Sequence, residues 1–189
     1  TGLERIAQNK LKYPESKHLN LIHYVNVENL KGAYKRINGK KATGTDKVSK
    51  DEYGKDLEAN LNQLVARMKT FSYRPQPTKR VYIPKAGSNK LRPLGIPSFE
   101  DKLVQNIMAD VLSDIYEPIF YDFSYGFRKD RDCHKAIEHL SEMIQRNKVN
   151  YIVDADIKGF FDNVNHAKLL KQIWTLGIQD KNLLCLIGK

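Results

Sequence analysis

The sequence predicts an α+β fold, and three observations carry that reading. Most apolar residues recur at helical spacing. Two short runs, residues 79–84 and 91–97, flank a turn rich in Gly, Ser and Asn. One further apolar run, residues 151–157, alternates like a strand and carries two aspartates. At 189 residues, 41% of them hydrophobic, the chain can bury a core as one domain or two closely packed subdomains.

In chain order, Leu3, Ile6, Ala7 and Leu11 mark a helix over residues 2–12, which Pro14 ends because proline cannot continue it. Residues 18–25 form a short apolar segment, helical or extended. Asn26 then suits the N-cap of a helix bearing Leu30, Ala33, Tyr34 and Ile37 on one face, stopping at Asn38-Gly39. The loop over residues 39–47 combines two glycines, adjacent lysines and hydroxyls. It lacks the Gly-Lys-Ser/Thr ending of a triphosphatase loop. A loop that binds an RNA backbone and an ordinary connection both fit it. From Ser49 one longer helix follows, with Tyr53, Leu57, Leu61, Leu64, Val65 and Met68 on its buried side.

Pro75 and Pro77 force an extended chain into the two strands, whose own prolines mark them as edge strands. The hairpin carries five Lys and Arg, which suits a solvated edge or a finger closing on phosphate. Ser98 caps a helix with Phe99, Leu103, Ile107 and Val111 inward, ended by Tyr116-Glu117-Pro118. Residues 120–127 hold five aromatics, followed by Arg128, Lys129 and Arg131; they suit base stacking or a packing floor. A helix around residues 133–146 bears Ala136, Ile137, Leu140 and Ile144. Another is expected from about His166 to Leu176, with an apolar turn near Lys181.

The net charge is +10, and it is uneven. Residues 1–100 hold 20 Lys and Arg against 9 Asp and Glu, whereas residues 101–189 hold 12 against 13. A basic half beside an acidic cleft suits a phosphodiester polymer held for metal-assisted chemistry, while a merely soluble basic surface is the plainer alternative. Cys133 and Cys185 form no Cys-x-x-Cys pair, so zinc and a disulfide framework are not expected and a reducing compartment fits. No apolar run is long enough for a membrane span.

The chemistry concentrates at residues 151–162. Alternation places Tyr151, Val153, Ala155 and Ile157 on one strand face and Asp154 with Asp156 on the other. Five of the first seven residues are apolar, so a strand buried on both faces is expected. Gly159 ends it, and Phe160, Phe161 and Asp162 follow. A carboxylate at a strand end with a tight turn behind it suits Mg²⁺ and a substrate phosphate; a core strand with capping aspartates fits too.

Taken together, Lys79-Arg-Val-Tyr-Ile-Pro-Lys85, Leu91-Arg-Pro-Leu-Gly-Ile-Pro97, Ser124-Tyr-Gly-Phe-Arg128 and Ala155-Asp-Ile-Lys-Gly-Phe-Phe-Asp162 resemble the reverse transcriptase of group II intron-encoded proteins, or maturases. The resemblance spans about residues 26–176, with the helical segment before it resembling that family's extra N-terminal element. It implies a fingers-palm, right-hand polymerase fold truncated before the second catalytic motif: residues 1–97 as fingers with an N-terminal helical extension, residues 98–189 as the opening part of the palm. Within it, Asp156 matches the catalytic, metal-binding aspartate, joined at Mg²⁺ by the Ile157 carbonyl. Gly159 and Phe160 match backbone donors to the incoming dNTP, Phe161 the bulky residue beneath its sugar, and Lys85 and Arg92 the cations that clamp its triphosphate. Asp154 and Asp162 match motif positions that are not ligands.

The implied parent is an RNA-directed DNA polymerase that also binds intron RNA to promote splicing, acting on RNA template-primer and a DNA target. It would work in the bacterial cytoplasm as a ribonucleoprotein. Retron, CRISPR-associated and diversity-generating reverse transcriptases share these motifs, and a non-enzymatic RNA-binding module is the alternative of another class. The family's Tyr/Phe-x-Asp-Asp motif is absent, and no Asp-Asp pair occurs in the 189 residues. The chain by itself is therefore expected to hold RNA rather than copy it. Leu183, Leu184, Leu186 and Ile187 are expected to lack partners, which motivates a possible homodimer.

Overall fold

Three side-chain caps begin the helices that build the core. In the computed structural model, which describes Gln8, Lys12, Tyr13, residues 15–85, Gly87 and residues 89–189, Asn26 accepts from the Asn29 N–H and opens α1 (Val27–Arg36). Ser49 likewise opens α2 (Lys50–Gly54), and Ser98 opens the long α4 (Phe99–Tyr116). Each cap satisfies an N–H that the first helical turn leaves without a partner. Of the expected helix over residues 2–12, only Gln8 and Lys12 are among the described residues, and both are helical.

The single helix expected from Ser49 is two. It breaks after Gly54, and α3 (Leu57–Lys69) starts afresh. At the break Gly54 lies close against α1, where a Cβ on it would lie 2.2 Å from the Tyr34 hydroxyl. The same bend lets α1 pack on α3 as well as on α4.

The core is helical. Leu30 and Ala33 of α1, Leu61 and Leu64 of α3, and Leu103, Ile107, Val111 and Ile115 of α4 are fully buried. Each large aliphatic residue contributes about 1.5–3 kcal/mol by leaving water. These are the faces that the 3.6-residue spacing marks. Arg36 pairs with Asp110 across the α1–α4 seam.

The chain's last helix joins this core, against expectation. In α7 (Lys181–Ile187), Leu183 is fully buried and Leu186 nearly so, while Leu184 and Ile187 pack against the same cluster. The leucines expected to lie bare are covered, so they offer no surface for self-association. Asp180 holds them there. Its Oδ2 accepts from the Leu21 and Ile22 N–H groups (2.5 and 2.8 Å), and its Oδ1 from those of Asn182 and Leu183 (2.9 and 3.1 Å). A short bridge between His18 and Ile178 fastens the same junction. Residues 18–25 are irregular apart from one 3-10 turn, Ile22–Tyr24.

Strands β1 (Lys79–Pro84) and β2 (Leu91–Ile96) pair antiparallel as an isolated, exposed hairpin, as their prolines suggest. Its base is pinned to α4. Asp101, buried at the start of α4, accepts from the Tyr73 hydroxyl (2.5 Å) and the Gln76 N–H (3.0 Å). The loop over residues 39–47 crosses this base. Gly44 passes so close that a Cβ would sit 2.8 Å from Pro97 backbone atoms. Lys102 donates to the Ala42 carbonyl and Thr45 to that of Pro77.

Buried tyrosines link this packing to pH. Burial, with Asp101 accepting its proton, pushes the Tyr73 phenol far above its ordinary value. Burial and the Glu100 carboxylate do the same to Tyr53, and burial alone pushes Tyr116 up to about 12. A raised folded pKa means the stability is complete below about pH 10 and declines as pH rises above it, because the unfolded tyrosines ionise first. Between about pH 9 and 11, Tyr73 should account for a loss of roughly 1 kcal/mol. Chemical denaturation at several pH values checks this, and Tyr73→Phe should flatten the slope by that share.

Candidate nucleotide and nucleic-acid site

The register of the hairpin sorts its cations. Ile83 lies opposite Arg92 and Val81 opposite Leu94, and the Lys85 N–H donates to the Lys90 carbonyl (3.0 Å), extending the ladder by one pair. Directly opposed residues share a face and the faces alternate. Lys85 and Arg92 therefore project from the same face, with Lys79, Val81, Ile83 and Leu94. Neither cation has an ion-pair partner among the described residues. From residue 59 to residue 99 the chain holds eight Lys and Arg and no Asp or Glu, so this surface attracts anions.

In the aromatic segment, Arg128 has a structural role. Its side chain is 5% exposed and forks onto Glu117 (2.7–3.2 Å), with further donation to the Tyr121 and Ser124 carbonyls (2.8 Å each). Its guanidinium also lies 5.1 Å from the Phe120 ring centre. Arg131 binds Asp122 and covers Tyr125. These arginines hold the loop together and are not free to hold phosphate. Nothing in the sequence pointed to Glu117 as the partner. Above the knot, Tyr121 and Phe123 stack with planes 6° apart, and Phe127 is fully exposed.

Residues 151–157 are not a buried strand. They are irregular and exposed: Tyr151 is 90% and Val153 88% exposed. The apolar pattern supplies β propensity, but a strand also needs a neighbour to pair with, and the only sheet among the described residues is the closed β1–β2 pair. α5 (Cys133–Arg146), which precedes this run, has no buried residue; its apolar face, with Ile137, Leu140 and Ile144, is correctly spaced but uncovered.

Beyond Asp156 the backbone turns as expected. Gly159 has φ +62°, and its carbonyl accepts from Asn163 Nδ2 at 2.7 Å. A Cβ there would lie 3.1 Å from the same amide nitrogen. A 3-10 turn over Phe161–Asn163 leads to α6 (His166–Thr175), capped by Asn165. Phe160 and Phe161 pack edge to face, 5.4 Å between centres. They border a cleft of about 620 Å³ with Asn165, His166, Lys168 and Leu169.

The expected site residues thus fall in two groups: Lys85 and Arg92 on one hairpin face, and Asp156, Ile157, Gly159, Phe160 and Phe161 in one run. No hydrogen bond or ion pair joins the groups among the described residues. Asp154, Asp156 and Asp162 are all exposed. Mg²⁺ takes six oxygens in near-octahedral array. The Asp156 carboxylate and the Ile157 carbonyl offer two positions, and among the described residues no three acidic, His or Cys side chains converge on a metal-sized space. These residues alone do not fit a complete Mg²⁺ site.

The model of the reverse transcriptase (RNA-dependent DNA polymerase) family matches residues 83–187, from β1 through α7. The chain belongs to this family. It is 36% identical over 188 residues to group II intron-encoded protein LtrA of Lactococcus lactis subsp. cremoris, covering 99% of this chain and 31% of LtrA. Protein YkfC of Escherichia coli (strain K12) is 34% identical over 154 residues, which is 80% of this chain and 40% of YkfC. The putative COX1/OXI3 intron 1 protein of Saccharomyces cerevisiae is 30% identical over 176 residues, 93% of this chain and 21% of that protein. The chain thus spans about a third of the length of LtrA and a comparable minority of the others. Among its described helices, none is long and apolar enough to cross a membrane.

Proposed function

We propose that this reverse transcriptase segment is the N-terminal third of a group II intron maturase, an RNA-directed DNA polymerase that also binds intron RNA to promote splicing. Residues 1–97 act as fingers and residues 98–189 open the palm. The observation that carries the reading is the end-to-end similarity to a group II intron-encoded protein across 99% of this chain. The hairpin supports it, since Lys85 and Arg92 share a face and have no carboxylate partner among the described residues, as suits a triphosphate clamp. Gly159 and Phe160 then present backbone N–H groups to the triphosphate of a dNTP, and Phe161 lies beneath its sugar. Asp156 and Ile157 supply two ligands of a Mg²⁺ site whose remaining carboxylates come from the rest of such a polymerase. The exposed 151–157 run is the strand that pairs once those segments are present. The working particle is a cytoplasmic ribonucleoprotein that also engages a DNA target.

For the 189-residue chain the testable core is RNA binding through its basic half. About four phosphate contacts would make affinity for single-stranded RNA fall about 50-fold between roughly 50 and 200 mM salt. Fluorescence anisotropy with a labelled RNA across that range measures the slope. A flat salt response, or no binding at the low-salt end, would refute an electrostatic RNA anchor.

A further inference from the structure

We propose that the hairpin face opposite Lys85 and Arg92 is a second nucleic-acid surface, on which an unpaired RNA base stacks on Tyr82 while Arg80 holds the adjoining phosphate. The inference rests on the RNA-binding reading above and adds a residue-level site to it. The register puts Arg80, Tyr82, Pro84, Leu91, Pro93 and Gly95 together on this face, away from the clamp. Tyr82 is 56% exposed and Leu91 61%, and among the described residues no other strand is paired to either edge of the hairpin. Beside Tyr82 on the neighbouring strand stand Pro93 directly opposite and Gly95 diagonally. Both are low, so the ring stays open to a planar ligand. Arg80 is two residues along on the same face and has no ion-pair partner among the described residues.

Charge decides what kind of occupant fits. The hairpin lies inside the acid-free stretch from residue 59 to 99, so every charged residue of the hairpin itself is a cation. An apolar protein partner gains nothing from that field, whereas a single strand matches both parts, with bases for the ring and phosphates for the guanidinium. Duplex RNA matches poorly, because its bases are already stacked and its deep groove excludes the ring. The stacked Tyr121–Phe123 pair is another exposed aromatic platform, but its neighbouring arginines are already engaged by Glu117 and Asp122.

The test uses the 189-residue chain, a labelled oligouridylate of about 12 nucleotides, and an abasic oligonucleotide of equal length and charge. Tyr82→Ala should weaken oligouridylate binding about tenfold, leave abasic binding within about twofold and leave the salt slope unchanged, because stacking releases no counterions. Tyr82→Phe should bind like the parent. Arg80→Ala should weaken both ligands and lower the salt slope by about one phosphate contact. Equal losses on both oligonucleotides for Tyr82→Ala, or none on either, would overturn the stacking site while leaving the broader RNA-binding reading intact. Failure of the parent chain to bind either oligonucleotide would defeat that broader reading itself. Loss of self-association in sedimentation, with RNA binding unchanged, would make the face a protein interface and overturn the proposal.

Discussion

Asp180→Ala should destabilise this chain by about 3 kcal/mol, more than any surface substitution. The side chain is 3% exposed, and its two oxygens accept four backbone N–H groups. Two belong to the start of α7, where an ordinary N-cap is worth about 1 kcal/mol. The other two belong to Leu21 and Ile22, and alanine would leave the buried Leu21 donor with no acceptor, at a further 1–3 kcal/mol or so. For a chain of this size that lowers the melting temperature by about 6–12 °C. Asp180→Asn keeps an acceptor at one oxygen and should cost about half as much. Differential scanning calorimetry decides the matter. Equal melting temperatures for parent and Asp180→Ala would show that the carboxylate does not staple the termini together.

That staple also marks the limit of what sequence reading reaches here. The helices α1 and α4 are legible because their information is local: Asn26 and Ser98 cap them, and their apolar stripes lie within one segment. The hairpin is legible for the same reason. Asp180 is different, since its partner Leu21 is 159 positions away and no local pattern announces the pairing. Missing that contact made Leu183 and Leu186 look uncovered. Arg128 is undecided from sequence for the same reason, because its charge is visible there but its capture by Glu117 depends on how the intervening loop folds back.

The run at 151–157 failed in the opposite direction. Its composition asks for a strand, yet pairing is a property of two segments, and in these 189 residues the second is lacking among those described. Motif reading reaches the family, because the motifs are local in sequence. The family match begins within β1 and includes every proposed site residue from Lys85 to Phe161. The hairpin register adds that Lys85 and Arg92 share a face, which no motif carries.

The remaining large effect concerns Asp156. The chain alone should give no primer extension, since one exposed carboxylate cannot neutralise the charge that gathers in phosphoryl transfer. A chimera in which this chain replaces the matching 31% of LtrA tests the proposed role directly. In a chimera that incorporates dNTPs, Asp156→Asn should reduce incorporation at least about 1,000-fold, since losing a charged ligand removes several kcal/mol of transition-state stabilisation. The substitution is nearly isosteric and sits on an exposed segment, so the melting temperature should stay within about 1 °C of the parent chimera. Asp162→Asn is the informative companion. It lies in the same motif but is not assigned a ligand role, and it should keep activity within about tenfold. If Asp156→Asn retained activity comparable to Asp162→Asn, the carboxylate at 156 would be a lining acid of the cleft rather than a ligand. If both collapsed together, the proposed division of labour between the two aspartates would be wrong.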